Sequence, residues 1–173
     1  MENVMVIGFM GTGKSTVGRA LAERFGLTRI DMDEEIVSRV GCSIAELMRD
    51  KGEQYFRDVE SRVLHDLCKE KGLVITTGGG VVLREENRQL LQAHGLVIAL
   101  DASEEEIVRR VQRDPDRPLL AGNVAERVHQ LKLERAGLYD FAPIQIDTTG
   151  KPIEQIVEEI CEQMDKITSS RGN

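Results

Sequence analysis

An α/β fold, with a parallel sheet covered by helices on both faces, follows from three features of this 173-residue sequence. Short apolar runs recur along the chain. Amphipathic stretches of helical period lie between them. A glycine-rich turn joins the first run to the first of those stretches. Strand-length runs alternating with helix-length stretches form βαβ units, whose crossover helices cover the sheet.

The apolar runs are Asn3–Ile7, Thr28–Met32, Leu73–Thr77, Leu96–Leu100 and Ile144–Asp147. Ser15–Phe25 (STVGRALAERF) reads as the first helix. Phe56, Val59, Val63 and Leu67 mark a second helical face, and Ile107, Val108 and Val111 a third. The last helix is the clearest, with Ile153, Ile156, Val157, Ile160, Cys161 and Met164 on one face. The sequence shows neither an internal repeat nor a linker rich in Pro, Gly or Ser. Residues 1–167 therefore read as one domain, and Thr168 onward (TSSRGN) as a polar, frayed and disordered tail.

Apolar residues make up 40% and charged residues 31%, as in an ordinary soluble domain. The net charge of −7 argues against a general surface for nucleic acid or anionic membrane. Cys42, Cys68 and Cys161 are odd in number, far apart and without His partners at metal spacing, which suits free thiols in a reducing cytosol. No apolar run reaches the length of a membrane span, and the N-terminus runs straight into a strand without a signal segment. The expectation is a soluble, cytoplasmic protein.

Gly8-Phe9-Met10-Gly11-Thr12-Gly13-Lys14-Ser15 fits G-x-x-x-x-G-K-[ST] at every fixed position, with a strand before it and a helix after. Such a turn can wrap backbone N–H groups around phosphate oxygens at a helix N-terminus. Lys14 then reaches the β- and γ-phosphates, and the Ser15 hydroxyl can ligate magnesium. The motif points to a bound nucleoside triphosphate.

Asp31 and Asp33 close the second run as Ile30-Asp31-Met32-Asp33. In extended chain, residues two apart point the same way, so both carboxylates are expected on one side of the strand's C-terminal end. Ligands of open α/β sheets gather at that edge. One acid could hold magnesium through water, and the other could orient an acceptor hydroxyl and take its proton. Asp33 could instead cap the following helix. Asp101, which closes Leu96–Asp101 (LVIALD), is a rival magnesium carboxylate, and composition does not choose between Asp31 and Asp101.

Arg57, in EQYFRDVE, lies beside the buried stripe with Glu60 one turn on; its default is a solvated helix arginine. Arg135, in ERAGLY, has the same default. Together, guanidinium groups can clamp a carboxylate through bidentate bonds. Gly78-Gly79-Gly80 follows Thr77 at a strand end and allows close approach of a ligand to the backbone. The segment Arg113–Asn123 (RDPDRPLLAGN) is either a functional lid or a long solvated connection.

GFMGTGKSTVGRALA, DMD, EQYFRDVE, TTGGG, RDPDRPLL and ERAGLY, in that order, resemble the shikimate kinase family over Val4 to about Met164. The resemblance implies transfer of the γ-phosphate of ATP to the 3-hydroxyl of shikimate, on the route to chorismate and the aromatic amino acids. It implies a three-layer αβα P-loop kinase fold of nucleoside-monophosphate-kinase type, with a five-stranded parallel sheet. It also implies a lid at about 113–123 and a substrate-binding helical region at about 33–62.

Carried over by position, Gly11, Thr12, Gly13, Lys14, Ser15 and Thr16 would hold the phosphates of ATP. Ser15 would bind Mg2+ directly and Asp31 through water. Asp33 would contact the shikimate hydroxyls and act as base, and Arg57 and Arg135 would hold the carboxylate, with Gly78, Gly79 and Gly80 against the substrate. Arg117 would be the lid arginine on the transferring group, and Arg110 and Pro152 the adenine-stacking elements. A monomer with no nucleic-acid or membrane partner is expected.

The chain departs from the family pattern at Gly137 (where Pro is usual), at Phe141 (where an acid is common) and at Met48 (where an aromatic often lines the substrate site). These changes bear on affinity and helix-end geometry more than on the reaction. Another small-molecule kinase of gluconate or nucleotide type, or a non-catalytic ATP-binding module, are the rival readings; a GTPase lacks support because N-K-x-D is absent.

Overall fold

The computed structural model describes residues 2–113 and 122–171. Five strands, β1 (Asn3–Gly8), β2 (Thr28–Asp31), β3 (Leu73–Thr76), β4 (Gly95–Asp101) and β5 (Ile144–Asp147), form one sheet. All neighbours pair in parallel in the order β2-β3-β1-β4-β5, with Val4 opposite both Val74 and Leu96. The helices are α1 (Lys14–Phe25), α2 (Met32–Val40), α3 (Ile44–Lys51), α4 (Glu53–Leu67), α5 (Glu85–His94), α6 (Glu104–Gln112), α7 (Val124–Glu134) and α8 (Ile153–Arg171).

Two-residue alternation along each inner strand sorts the core into two layers. Met5 and Ile7 of β1, Ile75 of β3 and Val97 of β4 face a cluster built with Ile36, Phe56, Val63, Leu64 and Leu91 of α2, α4 and α5. Val4, Val6, Val74, Ile98 and Ile144 face the other way, onto Val17 and Leu21 of α1 and Ile156 and Ile160 of α8. Phe9, Ala102, Ile107, Val111 and Val128 make a smaller cluster that joins α6 and α7 beside the first β–α turn. Among the described residues no helix is long and apolar enough to cross a membrane.

The second apolar run stops one residue sooner than its composition predicts. Asp31 has extended backbone, and its side chain accepts from the N–H groups of Asp33 and Glu34, so it ends β2 and caps α2. Asp31, and not Asp33, is the cap. Asp33 lies in the first turn of α2, so the two acids do not share one side of an extended strand as expected. At the other end of the chain, α8 continues to Arg171, so the tail expected to fray from Thr168 is helical to that residue. The expected lid falls largely on residues 114–121, outside those described.

The sheet and α1 meet closely at Gly18, where an added Cβ would run into Cγ2 of Thr76. Thr76 is buried, and its hydroxyl is engaged with Asp31 at 2.9 Å, so the methyl group has little freedom to yield. Gly18→Ala should therefore destabilise the protein by about 1–3 kcal/mol in urea unfolding despite its better helix propensity. Thr76→Ser, which deletes that methyl and keeps the hydroxyl, should recover most of the loss. A Gly18→Ala protein as stable as wild type would contradict this packing.

Candidate active site

The P-loop sits between the C-terminal end of β1 and the first turn of α1. Gly11 and Gly13 adopt φ of +72° and +93°, conformations that L side chains rarely take, as a tight phosphate-binding turn requires. Thr12 Oγ1 donates to Phe9 O at 2.7 Å and closes the loop on itself. The Lys14 ammonium donates to Gly8 O and Phe9 O, both at 2.9 Å, so it lies folded along the inside of the loop.

Arg110 of α6 braces this loop from the β5–α8 side. Its guanidinium donates to Gly11 O at 3.0 Å and to Thr148 Oγ1 at 3.2 Å, and pairs with Glu106 at 2.8 Å. Thr148 Oγ1 in turn donates to Thr12 O at 2.9 Å. Pro152 stands immediately before α8, where its carbonyl accepts from Ile156 N at 3.2 Å. Arg110 and the segment leading to Pro152 are thus brought to the same flank of the P-loop.

Asp31 reaches the P-loop helix from the end of β2, two places from β1 in the sheet. Its Oδ2 lies 3.3 Å from Ser15 Oγ and accepts from Thr76 Oγ1 at 2.9 Å. The Asp101 carboxylate is engaged elsewhere, accepting from Ala102 N at 2.8 Å and lying 3.0 Å from Lys132 Nζ. The geometry therefore places Asp31 against Ser15. A serine hydroxyl beside a carboxylate at the mouth of a phosphate loop is a hard-oxygen donor set suited to Mg2+.

A second group of residues converges on Gly78–Gly80. An added Cβ on Gly78 would lie 3.0 Å from Asp33 Oδ1 and 3.2 Å from Glu60 Oε1. On Gly79 it would lie 3.2 Å from Arg135 Nη1 and 3.4 Å from Met10 N of the P-loop. On Gly80 it would collide with the Arg57 guanidinium. Any side chain in this triplet would displace a charged group or close the space before it. Asp33, Arg57 and Arg135 thus gather around one short loop next to the P-loop, although α2, α4 and the end of α7 supply them separately.

Arg57 is not the solvated arginine of the sequence default. Its side chain is 13% exposed and pairs at 2.8 Å with Glu60, which is 1% exposed. Burial pushes the Glu60 carboxyl up; Arg57 and Arg135 oppose the rise, while Asp33 adds to it. Among the described residues, Arg57 Nε and Glu60 Oε1 make no hydrogen bond, an open demand that a ligand or water can meet. Arg135 stands at the C-terminal end of α7, its guanidinium carbon 5.6 Å from the Phe9 ring centroid.

Two members of this group carry no site role in the sequence reading. Glu60 occupies an i+4 position of the stripe formed by Phe56, Val63, Leu64 and Leu67, and an acid on a buried face was the available signal. Tyr139 donates to Gly79 O at 2.7 Å, which ties the end of α7 to the glycine triplet. Burial pushes its hydroxyl up, with Arg135 opposing. Nothing in ERAGLY alone announced that long-range bond. Of the departures from the family pattern, Met48 and Phe141 pack on the core cluster, and Gly137 takes φ +79° in the turn after α7.

A family model described as shikimate kinase matches residues 10–165. The chain belongs to the shikimate kinase family. A shikimate kinase of Geobacter metallireducens is 44% identical over 161 residues, covering 92% of this chain and 90% of the relative. The solved structure of shikimate kinase from Acinetobacter baumannii in complex with shikimate superposes with a TM-score of 0.91 at 34% identity, covering 96% of this chain and 94% of that one. A gluconokinase structure from Sinorhizobium meliloti, at TM-score 0.61 and 19% identity over 98% of this chain and 94% of that one, shares the fold alone.

Removing Glu60 tests the buried pair. Glu60→Ala leaves Arg57 with the exposed Glu53, at 3.7 Å, as its acidic partner among the described residues. The loss should be on the order of 2–3 kcal/mol in chemical denaturation, somewhat below the ~3–5 kcal/mol for a fully buried pair. Glu60→Gln, which keeps the shape and an acceptor, should cost less. A Glu60→Ala loss below about 1 kcal/mol would show that Arg57 does not depend on this partner.

Proposed function

We propose that the protein transfers the γ-phosphate of ATP to the 3-hydroxyl of shikimate, giving 3-phosphoshikimate and ADP. The observation that carries this reading is the gathering of Asp33, Arg57 and Arg135 around Gly78–Gly80, within reach of the P-loop. A two-arginine clamp recognises a small carboxylate, and an aspartate beside it suits the acceptor hydroxyl. The family assignment supplies the identity of the acid and the enzyme class.

In this reading Gly11–Thr16 hold the β- and γ-phosphates with backbone N–H groups, and Lys14 leaves the Gly8 and Phe9 carbonyls to neutralise phosphate charge. Ser15 directly, and Asp31 through water, would hold Mg2+, which would neutralise phosphate charge when bound. Arg57 and Arg135 grip the shikimate carboxylate, with Gly78, Gly79 and Gly80 against the ring. Asp33 orients the 3-hydroxyl and takes its proton as the oxygen attacks phosphorus and the bond to the β–γ bridging oxygen breaks. Arg117, outside the described residues, is assigned by resemblance to the transferring group. Arg110 and Pro152 would flank the adenine. We read the chain through the end of α8 at Arg171 as one cytoplasmic, monomeric kinase domain with its lid at about 113–123.

Turnover of ATP should be measured side by side with shikimate, gluconate and nucleoside monophosphates. Shikimate should be the productive acceptor, and turnover with another acceptor alone would overturn the assignment. Arg57→Ala should weaken shikimate binding about 10- to 100-fold while ADP binding changes little, as expected for loss of a charge-assisted contact. Equal loss of both would place Arg57 outside the acceptor site. Asp33→Asn should lower kcat about 10²- to 10⁴-fold, with a much smaller effect on ADP affinity.

A further inference from the structure

A cation lies directly against the carboxylate that faces Ser15. Arg29 Nη2 is 3.0 Å from Asp31 Oδ2, the same oxygen that meets Ser15 Oγ at 3.3 Å and Thr76 Oγ1 at 2.9 Å. The other oxygen, Oδ1, is occupied by the Asp33 and Glu34 N–H groups at 3.0 and 3.2 Å. The pair is well shielded, with side-chain exposures of 19% for Arg29 and 15% for Asp31. The Arg29 Nε is buried without a hydrogen bond among the described residues.

A dication approaching Ser15 and Asp31 therefore meets a guanidinium that already uses the oxygen nearest Ser15. The two positive charges repel across a partly desolvated gap, where screening is weak. A second acid stands close by. Glu34 Oε1 is 3.9 Å from the same Arg29 Nη2 and is 74% exposed, so a small movement of the guanidinium trades one carboxylate for the other. Glu34 is fixed in the first turn of α2 by the same cap that holds Asp31.

We propose that Arg29 is the resting counter-ion of Asp31 and sets the Mg2+ concentration at which the nucleotide site loads, passing to Glu34 when the ion arrives. This inference rests on the magnesium position proposed above. Arg29 acts on the metal through Asp31, so it is a positioning residue.

The test is ADP binding by calorimetry across a series of MgCl2 concentrations, with electron paramagnetic resonance of free Mn2+ as an independent count of bound metal. Arg29→Leu and the milder Arg29→Gln should lower the Mg2+ concentration for half-maximal enhancement of ADP binding about three- to tenfold. Glu34→Gln should raise it, and should have no effect in the Arg29→Leu background. Thermal melting identifies any variant that fails to fold, and Arg29→Gln keeps a hydrogen-bonding group in case Arg29→Leu does. A threshold unchanged within twofold in folded Arg29 variants, or a higher one, would overturn the inference. Asp31→Asn distinguishes the two levels: if it raises the threshold while the Arg29 variants do not lower it, only the role of Arg29 fails. If Asp31→Asn leaves the threshold unchanged, the magnesium position fails and this inference with it.

Discussion

Asp31 joins more of this molecule than any single charge would suggest. Its oxygens engage the hydroxyls of Ser15 and Thr76, the Arg29 guanidinium and the N–H groups of Asp33 and Glu34. The first contact links β2 to the P-loop helix, and the second links it to β3, its neighbour in the sheet. The two backbone bonds stop the strand and start α2, which fixes where Asp33 stands. A side chain held by so many donors has little rotational freedom, so Ser15 of the P-loop helix and Asp33 of α2 share one rigid reference point.

The acceptor half solves a different problem. Cations that recognise an acid must be partly removed from water to bind it well, yet a buried charge without a partner is costly. Glu60 meets this by sitting on the buried stripe of α4 and pairing with Arg57, while Arg135 lies over the Phe9 ring. The three glycines allow these groups to approach the backbone closely, and the Tyr139 bond to Gly79 holds the end of α7 against them. The net charge of −7 does not decide the field at this loop, where two guanidinium groups, Arg57 and Arg135, stand beside two acids, Asp33 and Glu60.

The fold was largely legible because its signals are local. Each apolar run lies at or within about a residue of a strand, and the glycine-rich turn falls where β1 feeds α1. Strand order and the split of Met5 and Ile7 from Val4 and Val6 between two layers required the three-dimensional sheet. The error at Asp31 and Asp33 came from extending strand geometry past a residue whose side chain caps a helix, a preference that period-two reasoning does not include. Within the site, the P-loop and the glycine triplet declare themselves by composition. Glu60 and Tyr139 do not, since one looks like an i,i+3 surface partner and the other makes a bond that spans 60 residues of chain. Arg117 could be named from its motif alone.

In the proposed function Arg57 and Arg135 bind one carboxylate while Asp33 faces the hydroxyl that receives phosphate. A crystal structure of the protein with ADP, Mg2+ and shikimate tests it most directly. Both guanidinium groups should lie within hydrogen-bond distance of the shikimate carboxylate, with the 3-hydroxyl at Asp33 on the side facing the P-loop. Shikimate bound with its carboxylate away from both arginines, or with the 3-hydroxyl turned from Asp33, would contradict it.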